Sequence, residues 1–167
     1  MVFTKDELIG SLQNEVRILL HLASKIDRAQ LDYRPGPKQR STIELLGYMS
    51  VMGPELTAYI KAGKFDGAAW QGALAAANGQ TLDQVLAAIG SQSKQYERLI
   101  GDYAEPEFGV EIEMFGRKAS RGSLLVNMVL CGYAAYRAQL FLYLKACGRE
   151  ELNTMNLWAG VDGPMPG

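Results

Sequence analysis

Histidine is almost missing from this chain. His21 stands alone among 167 residues. One imidazole cannot supply the two or three histidines that many transition-metal sites use. It leaves a serine–histidine–acid triad only if His21 turns inward. At about 100° per residue, His21 lies roughly 140° from Val16 on the same predicted helix, so it is expected near the outer face. Cysteine is scarce too. Cys131 and Cys147 fall on one predicted helix, roughly 24 Å apart along its axis, too far for a disulfide within the chain. Reduced thiols and a cytoplasmic location are expected. No neighbouring histidine or cysteine is visible to activate either thiol.

Charge of either sign is not in surplus. The formal net charge is −1, which gives no reason to expect nucleic acid as a partner. No Gly-x-x-x-x-Gly-Lys-Ser/Thr or Gly-x-Gly-x-x-Gly string is present to cradle a phosphate. Arg117, Lys118 and Arg121 read as a solvated edge. The opening MVFTKDELIG lacks the basic and apolar regions of a signal peptide. Leu124 to Leu144 has the length of a membrane span, but Asn127, Arg137 and Gln139 interrupt it, so no membrane is expected. There is no internal repeat at a solenoid period.

What is present is helical periodicity. The length suits one domain, 1–167, with room for a core. Thr4-x-x-Glu7, Ser41-x-x-Glu44 and Thr81-x-x-Gln84 have the form of capping boxes. They predict helices near 4–28, 41–61 and 81–100, and an apolar run predicts a fourth near 121–147. The first should bury Ile9, Leu12, Val16, Leu19, Leu20, Ala23 and Ile26. Gly53-Pro54 should kink the second, because proline lacks a donor and clashes one turn back. LDYRPGPKQR reads as a loop. Residues 63–80 read as another loop with one short helical turn, anchored by Phe65 and Trp70. Alternation around Val110, Ile112 and Met114 suggests a short extended pair before the last helix. Gly148 suits a C-terminal cap. Met49, Met52, Met114 and Met128 read as core filler. The fold class is all-α, an up-and-down four-helix bundle with a long connection and a short extended segment before the last helix.

Three stretches carry a family likeness. YRPGPKQRSTIELLGYM, YAAYRAQLFLYLKACG and LWAG resemble the proline-rich loop with its helix start, the last-helix motif and the tail of the DinB-like (damage-inducible) four-helix bundles. That family includes thiol S-transferases and many members without an assigned role. The resemblance implies the fold and a cleft between the second and last long helices. In many members, one histidine from the second helix and an i, i+4 pair on the last bind a divalent metal. Here those positions read Tyr48, Gly132 and Tyr136. None offers an imidazole, and a neutral phenol is a poor ligand for a divalent ion. No metal and no other cofactor is expected. Arg137 and Gln139 keep the family's Arg-x-Gln positions, with Ala138 for its glycine.

Glu44, Tyr48, Met52, Glu55 and Tyr59 share a stripe on the second helix, and Tyr133, Tyr136, Gln139 and Tyr143 share one on the last. With Arg137, all but Tyr59 are candidates for lining a small-molecule pocket, against the favoured alternative that the tyrosines fill the volume a metal and its ligands would take, their hydroxyls bonded to Glu44, Glu55 or Gln139. Two functions follow. One is a small-molecule-binding or interaction protein without a metal centre. The other is a transferase acting on a small thiol or electrophile through Tyr48, Tyr136 and Arg137. The first is favoured, because no activated nucleophile is visible. If Tyr136 marks the inward direction, then Asn127, Ala134, Ala138 and Lys145 point outward, flanked by Leu130, Cys131 and Phe141. Such a strip, charged only at Lys145, must be covered by the chain's own proline-rich loop or Trp158 tail or by a second copy, and a homodimer through that face is favoured.

Overall fold

Three of the long helices begin on side chains that cap them. In this computed structural model, which describes residues 4–164, α1 (Lys5–Ala23), α2 (Thr42–Ala62) and α4 (Leu82–Ile100) start after Thr4, Ser41 and Thr81. Each hydroxyl accepts from the backbone N–H three residues on, and Glu7, Glu44 and Gln84 return the bond. Met1–Phe3 of the N-terminal stretch and Met165–Gly167 of the tail lie outside the described residues.

The last long helix is α5 (Arg121–Leu124), a π-helical segment Leu125–Leu130, and α6 (Cys131–Ala146) in one run. It ends on Gly148 at φ 93°. Arg149 N–H donates to the Leu144 carbonyl and Gly148 N–H to that of Lys145, a glycine-centred cap. α2 packs on α4, α4 on α1, α1 on α6, and α6 on α2. One apolar cluster runs through these helices, with Leu12, Leu19, Leu45, Met49, Ile89 and Val129 fully enclosed.

Gly53-Pro54 sits inside α2, and the helix continues past it. Pro54 has no N–H for the Ser50 carbonyl. The Gln92 side chain of α4 supplies one: Nε2 donates to Met49 O at 2.9 Å and Ser50 O at 3.0 Å. Gln92 Oε1 accepts from the Tyr133 hydroxyl at 2.6 Å, and Tyr133 accepts from Tyr96 at 2.6 Å. Gly53 makes room for this chain, since a Cβ there would overlap both tyrosine hydroxyls.

Four expectations need correcting. Residues 63–80 hold a full helix, α3 (Gly67–Asn78), capped by Asp66 and packed on α2. Alanine favours helix, and the tertiary contact adds to that preference. On α1 the buried stripe also takes Leu8, Ile18 and Leu22, while Ile9 and Leu20 lie at its edge. His21 is not solvent-facing: its side chain is 16% exposed, lies under the tail, and its Nε2 is 3.1 Å from Asn156 Nδ2. On α6 the inward residues are Tyr133, Arg137, Leu140 and Leu144, so Tyr136 flanks the core. The outward strip is therefore Asn127, Cys131, Ala135 and Leu142. Ala134 and Ala138 are half-buried, and Lys145 donates to the Glu150 and Leu152 carbonyls.

The extended pair is a hairpin, β1 (Glu111–Met114) against β2 (Arg117–Ser120), antiparallel. Its tip, Phe115-Gly116, has positive φ at both residues. The described part of the chain contains one helix long and apolar enough to cross a membrane, Arg121–Ala146, and a third of its most apolar window is buried.

Candidate functional site

The cleft lies where α2 and α6 approach beside α3. Tyr48 and Tyr136 meet edge-on, with ring centres 4.9 Å apart. Trp70 of α3 packs edge-on against Tyr48 at 6.0 Å. Beneath them Met52 is buried against Gly132. Burial first, and the neighbouring Tyr136 hydroxyl second, hold the Tyr48 phenol protonated well above its usual range, while Arg40 acts the other way.

Arg40 closes the top of this group. Its guanidinium carbon stands 3.9 Å from the centre of the Tyr48 ring, a cation–π contact. Two α6 side chains fix that placement. Gln139 Nε2 donates to the Tyr143 hydroxyl at 2.6 Å, and Tyr143 donates to the Arg40 carbonyl at 2.9 Å. Tyr33 packs edge-on against the same Tyr143 ring at 5.5 Å. The proline-rich loop is thus fastened to α6 at both its ends.

A cavity of ≈ 340 Å³ opens beside Tyr48, between this loop and α3. Arg34, Lys38 and Arg40 line it together with one carboxylate, Glu44. Arg34 pairs with Glu44 at 3.3 Å and donates to the Gln39 carbonyl. The Ser41 backbone N–H, then Arg34, hold the Glu44 carboxyl below its usual range against the opposing effect of burial. Among the described residues, Lys38 and Arg40 have no carboxylate partner within 4 Å.

The candidate residues divide accordingly. Tyr48 and Glu44 line the cavity, Tyr136 packs against Tyr48 with Met52 buried in the core, and Gln139 and Tyr143 position Arg40. Glu55 is half-buried one turn along, beside Tyr59. Tyr133 is not in the cleft, because its hydroxyl is engaged by Gln92 and Tyr96 in the core. Arg137 is not there either. It is 3% exposed, pairs with Glu15 at 2.8 Å, donates to the Leu157 carbonyl, and lies under the Trp158 ring. Arg34, Lys38, Arg40 and Trp70 were not read as site residues. The three bases in YRPGPKQR, directly before the helix that carries Tyr48, were the available signal.

The positions of the family's metal triad do not fit a divalent ion. Gly132 has no donor, and a Cβ there would stand 2.9 Å from Met52 Sδ. The other two positions offer only phenols, poor ligands for a divalent ion, and burial holds that of Tyr48 protonated. Among the described residues, no group of three His, Cys, Asp or Glu side chains is placed to hold a metal.

No family model matches the chain, and no curated protein matches it. Among solved structures it is similar to a DinB-like protein from Bacillus subtilis, YjoA, with a TM-score of 0.67 and 20% identity. The match covers 87% of this chain and 94% of that one. At that identity the likeness is one of fold, and the fold of this chain is DinB-like.

Proposed function

We propose that this chain is a small-molecule-binding protein without a metal centre, on an up-and-down four-helix frame, and that its cleft takes an anionic aromatic compound. The observation that carries this reading is Arg40, held over Tyr48 with its charge unpaired among the described residues and Lys38 beside it at the cavity mouth. A cavity with one aromatic wall, Tyr48, and a few fixed polar groups suits a small ligand. Guanidinium is well matched to a carboxylate or phosphate.

Benzoate, phenyl phosphate and benzyl alcohol test it, by thermal shift and by NMR of the labelled full chain. Both anions should raise the midpoint, and the alcohol should not. Arg40→Ala with Lys38→Ala should abolish the shift. Equal binding of all three compounds, or an unchanged response in the double variant, would reject the reading.

The transferase reading has less support. Arg137 is held by Glu15, and burial keeps the Tyr48 phenol protonated, so it is a proton donor rather than a base. Self-association belongs to the proposal as well. The outward strip of α6 carries no charge, and Leu142 is 64% exposed. Light scattering should give a dimer at micromolar concentration, and Leu142→Glu should give a monomer. Both cysteines are free thiols, which suits the cytoplasm.

A further inference from the structure

A second cavity lies away from the cleft. It measures ≈ 620 Å³ and sits between the start of α1, the turn Glu105–Gly109, and the start of the last long helix. Its wall is mostly hydrocarbon, from Leu8, Pro106, Phe108 and Val126. Leu8 and Phe108 are buried and belong to the core, so the cavity floor is fixed. The volume is in the range of small-molecule sites.

Two features set its chemistry. One is the polar complement of the wall. Thr4 is used by Glu7, the Ser120 hydroxyl by the Ser123 N–H, and the Asn127 amide nitrogen by Ser123. The Glu105 carboxylate has no ion pair or hydrogen bond among the described residues, and the Asn127 side-chain oxygen is also an open acceptor, while the Ser120 and Ser123 hydroxyls accept bonds and keep their own O–H donors. The one charged group of the wall is thus an anion. Among the described residues, no lysine or arginine lines the cavity. The two bases adjacent in sequence to lining residues are engaged: Lys5 donates to the Gly101 and Tyr103 carbonyls, and Arg121 faces Glu107 and donates to Ile60 O. The other feature is the backbone. Val126 and Asn127 belong to the π-helical segment, where Cys131 N–H reaches back five residues to Val126 O. Such segments are less stable than continuous α-helix and recur at functional sites.

We propose that this cavity binds an aliphatic amine, its hydrocarbon among Leu8, Phe108 and Val126 and its ammonium between Glu105 and Asn127. Apolar burial supplies the affinity. The lone carboxylate, with no competing base, selects the cation over an acid or an alcohol of the same length.

Octylamine, octanol and octanoate distinguish these cases, titrated at neutral pH into the nitrogen-15-labelled full chain. Octylamine should bind most tightly and move the amides of Gly109, Val126 and Asn127, with Tyr48 unaffected. Glu105→Gln should weaken it roughly fivefold. Glu105→Lys should reverse the order in favour of octanoate. Val126→Trp should remove binding of all three compounds. If that variant does not fold, Gly109→Phe replaces it, since a Cβ there meets nothing within 4 Å. Octanol binding as well as octylamine, an amine preference that survives Glu105→Lys, shifts confined to the cleft, or no binding by any compound would overturn the proposal. The cleft reading is tested separately, with its own probes and its own reporter residues.

Discussion

Two pairs of tyrosines join the helices of this protein, and they behave differently. Tyr96 and Tyr133 sit in the core, with hydroxyls 2.6 Å apart and the chain completed by Gln92. Tyr48 and Tyr136 sit one turn of α2 away, ring edge to ring face, under Arg40. The inner pair is closed on itself and completes a broken helix. The outer pair is half-buried and borders a cavity mouth. Residue type does not separate them. Gly53 does, by clearing space on the inner side, while the proline-rich loop brings an unpaired cation to the outer side.

The largest effect is expected where that contrast begins. Gly53→Ala forces both inner hydroxyls to move, breaking a buried network and overfilling its site. A loss of about 3 kcal/mol or more is expected in urea unfolding. A loss below about 1 kcal/mol would mean the two rings can shift at little cost. Next is Gln92→Leu, which strands the Ser50 carbonyl and removes the acceptor of the Tyr133 hydroxyl. It should cost about 2–3 kcal/mol, and Gln92→Glu should not restore the donor.

Alkaline pH gives a third contrast. Burial, with the partner tyrosine, raises the Tyr96 phenol well above its ordinary 10.0, and burial likewise raises Tyr133. The unfolded chain therefore loses these protons first. Stability from the pair is whole below pH 10 and declines as pH rises from there toward the raised values. Tyr133→Phe should flatten that decline in a series of denaturant midpoints. An identical slope in wild type and variant would assign alkaline unfolding to other groups. The smallest effect belongs to the outer pair. Tyr48→Phe should change stability by no more than about 0.5 kcal/mol, yet alter binding at the cavity it lines.

The sequence was most legible where structure is local. The residue pairs Thr4/Glu7, Ser41/Glu44 and Thr81/Gln84 placed three helix starts within a residue, because a cap is decided by four neighbouring side chains. α3 escaped detection because GAAWQGALAAAN has no strong apolar stripe, and only Ala77 of it is buried. Taking Tyr136 as central turns α6 too far, because Tyr133, Arg137 and Leu140 lie inward. The stretch SLLVNMVL also gave no sign of the π-helical segment. In the cleft, Tyr48 and Tyr136 were found from spacing and resemblance. Arg40 was not, since a hydroxyl 103 positions further along the chain holds it in place.

The break at Pro54 also bears on synthesis. Ser50 receives its missing bond from a side chain 42 residues later. At ordinary elongation rates that interval lasts on the order of a few seconds. Throughout it the nascent second helix has an open carbonyl that only water can serve, and its two halves meet at an unsupported joint. A ribosome-bound chain stalled before residue 92 should therefore exchange its amides near the break freely. One stalled with α4 fully emerged should protect them, so this helix is finished only when a later one arrives.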